Sequence, residues 1–162
     1  MDKEYRLRSA RPSDEPAIRD LVFKVLREHG LAPDPTTTDS DLSDLDAAYV
    51  RPGGLFEVVV DGTGEVVGTV GLLPLEDGRC GLRKLYVAKE HRGRGLGKRL
   101  VEYALEKAKA LGFRRVELET AGVLEVAKKL YESFGFRPFV PTHLSARSDR
   151  AYALELGDEA VI

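Results

Sequence analysis

Seven consecutive residues, Arg92-Gly93-Arg94-Gly95-Leu96-Gly97-Lys98, have types and spacing suited to holding a phosphate. Glycine at every second position leaves backbone N–H groups uncovered by a Cβ. The apolar spacing that follows, Leu96, Leu100, Ala104, Ala108 and Leu111, predicts an amphipathic helix from about Gly95 to Leu111, stopped by Gly112. Bare N–H groups at the positive end of a helix receive anions. Arg92, Arg94, Lys98 and Arg99 crowd the same turn, which suits a diphosphate better than a single carboxylate. The strand signal Leu82, Leu85, Tyr86, Val87 runs directly into it.

Spacing separates this turn from other phosphate loops. A Walker A loop counted back from Gly97-Lys98 requires glycine where Arg92 stands and Ser or Thr where Arg99 stands. A dinucleotide fingerprint begun at Gly93 requires glycine where Lys98 stands. What remains is Arg-x-x-Gly-x-Gly, carried by Arg92, Gly95 and Gly97.

The elements that must position this loop are legible on both sides of it. The 162 residues are read as one domain, residues 1–162, with a charged N-terminus and no apolar run of membrane-spanning length. Tyr5–Ala10 reads as a strand and Glu15–His29 as a helix. Asp39 or Ser40 starts an expected second, acidic helix ending before Arg51. Leu55–Val60 and Val66–Leu73 are strands joined by the hairpin signal Asp61-Gly62-Thr63-Gly64. After the glycine loop and its helix come a strand (Arg115–Thr120), a helix (Leu124–Phe134) and two strands (Phe136–Val140 and Ala151–Leu156). The order βααββ-β-αβαββ predicts an α/β fold with one mixed, mostly antiparallel sheet of about seven strands and about four flanking helices.

That order, the Arg92-Gly95-Gly97 loop, the preceding Leu82-Arg83-Lys84-Leu85-Tyr86-Val87, and Leu118-Glu119-Thr120 with Ala127–Phe136 resemble the GNAT superfamily of acyl-CoA-dependent N-acetyltransferases. The resemblance implies acetyl-CoA as cosubstrate and a primary amine, on a small molecule or a peptide, as acceptor, attacked directly in a ternary complex. It places the diphosphate on the backbone from Arg92 through Gly93, Arg94, Gly95, Leu96 and Gly97 to Lys98. The pantetheine arm would run along Leu85, Tyr86 and Val87, with the Val87 N–H facing the thioester carbonyl. Tyr131 is the expected general acid and Glu119 the first candidate base, each weighed against an ordinary structural role. Related sequences often carry a glutamate just before the Leu-Arg-Lys run, where this chain has Gly81. A catalytically silent acyl-CoA-binding module, or a consensus-like or designed scaffold, is the alternative.

Composition bounds the rest. The lone Cys80 excludes an internal disulfide and fits a reducing cytoplasm. His29, His91 and His143 show no metal spacing, so no metal is expected; His143 lies in the loop between the last two strands, read either as a substrate contact or as an ordinary loop residue. A net charge of −2 argues against a nucleic-acid partner. Residues 34–50 hold five Asp and no base, a segment read either as steering a cationic acceptor or as a solvated face. The absence of Asn, Gln and Trp beside abundant Lys, Arg and Glu is a thermostable pattern. Monomer and homodimer stay open.

Overall fold

The structure is a computed structural model that describes residues 4–120, 125–141, 144 and 148–157. Seven strands make one sheet: β1 (Arg6–Ser9), β2 (Leu55–Val60), β3 (Val66–Pro74), β4 (Arg79–Val87), β5 (Arg115–Thr120), β6 (Arg137–Pro138) and β7 (Arg150–Glu155), ordered β1-β2-β3-β4-β5-β7-β6. Every pairing is antiparallel except β4 with β5. The helices are α1 (Glu15–Glu28), α2 (Leu96–Ala110) and α3 (Glu125–Ser133).

Side-chain alternation along the strands supplies a core on each face. Phe56, Val58 and Val60 of β2 join Ile18, Val22, Val25 and Leu26 of α1. Val59, between them, points the other way and joins Leu100, Ala104 and Ala108 of α2 with Val116 and Leu118 of β5. Hence α1 covers one face and α2 covers the other.

Two expected elements are cut short, each for a local reason. The acidic helix becomes a 3₁₀ turn at Ser40–Ser43 and a π-type turn at Asp46–Val50. Aspartate side chains compete there for backbone donors: the Asp44 carboxylate accepts from the Ala47 N–H at 3.1 Å, and that of Asp39 from the Asp34 N–H at 2.8 Å. The strand expected over Phe136–Val140 shrinks to Arg137–Pro138; Pro138 has no N–H to give the ladder, and one more backbone bond, from the Phe139 N–H to the Ala151 carbonyl at 3.0 Å, follows it before Pro141. Leu124, the expected first residue of the third helix, lies outside the described residues.

The feature that positions the site is an opening in the sheet. β4 and β5 pair only from Arg79–Gly81 to Arg115–Glu117, although β4 continues to Val87 and β5 to Thr120. On the other edge of β4, Thr69 faces Tyr86 but Gly71 faces Arg83, so Lys84 and Leu85 together oppose Val70. This is a β-bulge, with Lys84 at φ +54°.

Candidate active site

The bulge and the opening expose backbone donors on β4. The Ala88 N–H reaches the Val67 carbonyl at 2.9 Å, and Tyr86 is the residue paired with Thr69. Antiparallel alternation then turns the N–H groups of Leu85 and Val87 away from β3, toward the side from which β5 has departed. A cleft of about 620 Å³ occupies that opening. It runs from the glycine loop, along β4 and the end of β5, to α1 and Thr38.

The loop is built as the sequence suggests, though its side chains serve differently. Gly93 (φ +78°) and Gly95 (φ +80°) occupy the left-handed region, which explains glycine at both positions. Gly97 is helical; a Cβ there would meet Leu130 of α3 at 3.5 Å. Among the described residues the N–H groups from Gly93 to Lys98 meet no protein acceptor, and the first to be satisfied is Arg99, on the Gly95 carbonyl at 3.0 Å. Arg92 braces the loop by donating from Nε to the Val87 carbonyl (3.0 Å) and pairing with Glu28 (3.2 Å). Arg94 turns outward to the Tyr5 hydroxyl (2.9 Å) and Glu4 (3.5 Å), and its side chain does not line the cleft. The free donors of the loop are therefore mainly backbone, with Lys98 as the cation lining the cleft beside them.

Tyr131 and Glu119 both line the cleft. Tyr131 is 6% exposed and stacks edge-on against Phe136, with ring centroids 5.8 Å apart. Burial, with a smaller contribution from Tyr86, raises its phenol well above the ordinary value. Glu119 is partly buried on β5, on the strand face opposite buried Leu118 and Thr120. The β4–β5 register sets Glu119 level with Arg83, four residues before Val87, a separation of roughly 13 Å along β4. A glutamate side chain is too short to cross that interval. Leu85, two residues nearer, shares the outward N–H direction; the family resemblance puts Leu85 beside the pantetheine arm but does not single out its N–H.

The structure also gives several residues partners that their sequence positions do not reveal. Lys84, turned by the bulge, inserts between Asp39 (3.0 Å) and Asp41 (3.3 Å), and Asp39 is only 1% exposed. The Tyr49 hydroxyl donates to Asp41 in a very short hydrogen bond, and burial drives that phenol's pKa up further. Asp34 folds back on Thr37 and Thr38 and is held down to about 2, chiefly by the Thr37 hydrogen bond. Asp44 and Asp46 pair with Arg51. The acidic segment is thus committed to internal partners rather than to steering an acceptor. Cys80 is fully buried, and desolvation pushes its thiol up to about 12, which removes it as a nucleophile. His29 and His91 line the cleft, while His143 lies outside the described residues. Among the described residues no cluster of His, Cys, Asp or Glu suits a metal, and no helix is long and apolar enough to cross a membrane.

A seven-stranded sheet parted between two parallel strands, with a run of unbonded backbone N–H groups at the mouth of the gap, has the form of a cleft for an extended ligand. Residues 19–136 match the model of the Acetyltransferase (GNAT) family, and the chain belongs to that family. It is 41% identical over 128 residues to the uncharacterized N-acetyltransferase YjgM of Escherichia coli, covering 76% of each chain. An acetyltransferase of the GNAT family from Staphylococcus aureus superposes with a TM-score of 0.89 at 22% identity, covering 94% of this chain and 99% of that one. A phosphinothricin acetyltransferase from Sinorhizobium meliloti, solved with AcCoA, superposes with a TM-score of 0.76 at 18% identity, covering 98% and 92%.

Proposed function

We propose that this GNAT acetyltransferase moves an acetyl group from acetyl-CoA to a primary amine by direct attack in a ternary complex. The observation that carries the reading is the continuity of one cleft from the unbonded N–H run at Gly93–Lys98 to the outward N–H groups of Val87 and Leu85. Acetyl-CoA supplies an acyl group activated as a thioester. The loop N–H groups and Lys98 hold the diphosphate, and β4 holds the arm as an added strand would be held.

In the transfer a nitrogen–carbon bond forms, the carbon–sulfur bond breaks, and the amine's surplus proton leaves. The Leu85 or Val87 N–H stabilises charge on the carbonyl oxygen, a contribution of about 3 kcal/mol for one well-placed donor. Leu85 is favoured by its closeness to Glu119, which takes the amine proton directly or through water. Burial keeps the Tyr131 proton in place, above the ~8.5 of a free thiol, so its role is a hydrogen bond to sulfur as negative charge develops there.

Thermal unfolding with acetyl-CoA, CoA, ATP and NAD tests the cofactor. A shift with the first two alone supports the reading, and no shift with CoA refutes it. Thiol release on adding amines then tests transfer. Binding without release from any amine would favour a silent acyl-CoA-binding module.

A further inference from the structure

Of the lysines and arginines that line the cleft, Lys84 and Arg92 pair with carboxylates, whereas Arg83 and Lys98 have no carboxylate partner among the described residues. Arg83 follows Leu82, which is buried toward α2, so it belongs to the opposite face of the sheet, with Gly81. Its guanidinium lies over Gly81: a Cβ at that position would fall 2.8 Å from Arg83 Nε. The residue is partly buried and lines the cleft. Among the described residues it makes no hydrogen bond and no ion pair, in a chain where Arg79, Arg92, Arg94 and Arg115 all have carboxylate partners.

Charge balance accounts for its presence but not for its idle donors. Lys84 meets two carboxylates, Asp39 and Asp41, which leaves that cluster with an excess negative charge on the same side of the sheet. A nearby guanidinium offsets this excess through space. Its planar fork of N–H donors is unused by the protein and faces the cleft. The fork matches a carboxylate held by two hydrogen bonds.

We propose that Arg83 receives the carboxylate of the acceptor, which makes the acceptor an α-amino acid-type amine; this rests on the acetyl-transfer reading above. Glu119 is level with Arg83 one strand away and on the same face. Beyond Gly81 and Glu117 the two strands have parted, so Arg83 and Glu119 face the cleft from its two sides and can take the carboxylate and the ammonium of one acceptor. Val25, Leu26 and Leu31 supply an apolar wall to the same cleft, which favours an apolar side chain on that acceptor.

The test compares phenylalanine with phenylalaninamide as acceptors, by thiol release, in the wild type and in Arg83→Gln. The amide has the more acidic ammonium and so the larger fraction of reactive amine, which works against the expected result. The wild type should prefer the acid by about 30-fold in kcat/KM, from the typical strength of a charge-assisted hydrogen bond. Arg83→Gln should bring the ratio near one, mainly through KM for the acid, with the acetyl-CoA thermal shift retained. Equal or better use of the amide by the wild type, or a preference that survives Arg83→Gln, overturns the proposal. Calorimetric binding of both compounds, with and without CoA, reads the same preference if no transfer occurs. Failure of the acetyl-transfer reading shows separately, as loss of the CoA shift.

Discussion

Gly95→Ala separates the backbone cradle from everything else in the cleft. Gly95 has φ +80°, and no atom lies within 4 Å of the point a Cβ would occupy, so alanine brings strain without a clash. The left-handed conformation costs an alanine about 1–2 kcal/mol. Gly112, at the far end of α2, is the matched control, with φ +88° and the same open surroundings. Both variants should lose about 2–8 °C in Tm, since 1 kcal/mol moves a domain of this size by roughly 2–4 °C. Ligand separates them. Acetyl-CoA at a hundred times its Kd should stabilise the wild type and Gly112→Ala by about 2.7 kcal/mol. In Gly95→Ala, relief of the strain turns the loop N–H groups off the diphosphate. One lost charge-assisted hydrogen bond weakens Kd by about 10- to 150-fold. At 30-fold, the same ligand concentration stabilises by only about 0.9 kcal/mol. Scanning fluorimetry at fixed ligand reads the difference. Equal ligand shifts in both variants would refute the backbone-cradle argument.

Tyr131→Phe keeps the ring against Phe136 and removes only the hydroxyl, so kcat should fall at least tenfold while KM for acetyl-CoA stays within twofold; an unchanged kcat removes Tyr131 from the chemistry. Glu119→Gln should flatten the acidic limb of the pH profile of kcat/KM, and a profile that does not move leaves proton removal to water alone. Cys80, buried and pushed up to about 12, should resist a thiol-specific disulfide reagent until the protein unfolds, and Cys80→Ala should keep kcat within twofold; a fast-reacting native thiol would contradict the burial. Asp14 is held below the usual carboxylate range by its hydrogen bonds to Arg8 (2.7 and 2.9 Å), so this stabilisation is complete above the unfolded value near ~3.9 and fades as pH falls through the lower folded value. Chemical denaturation between about pH 2 and 5 should show a shallower pH dependence in Arg8→Met, and an identical slope would place the acid sensitivity elsewhere.

The sheet and the loop were legible because their signals are local. Alternation over Leu55–Val60, the stripe from Leu96 to Ala108 and the glycines at 93 and 95 each express one backbone geometry, and the structure repeats them nearly residue for residue. The fate of the charged side chains was not legible. Arg94 belongs to the loop in sequence but pairs with Tyr5 and Glu4, at the start of the chain. No spacing rule links positions so far apart. Leu85 was invisible as a backbone donor for another reason. A bulge arises from how β3 and β4 meet, and β4 alone reads as an ordinary strand.

The bulge at Lys84 joins two features that look unrelated in sequence. By placing an extra residue in β4, it turns Lys84 into Asp39 and Asp41 and so pins the acidic segment against the sheet. The same insertion frees the Leu85 N–H from β3, on the edge that β5 has left. A buried lysine held by two carboxylates resists any return of β4 to regular pairing, because unpairing even one such charge costs about 3–5 kcal/mol. Five aspartates in seventeen residues suggested an electrostatic lure for substrate. The buried Asp39 and its neighbour Asp41 instead clamp the segment onto the strand that carries the backbone donors, while Asp44 and Asp46 pair with Arg51 at the surface.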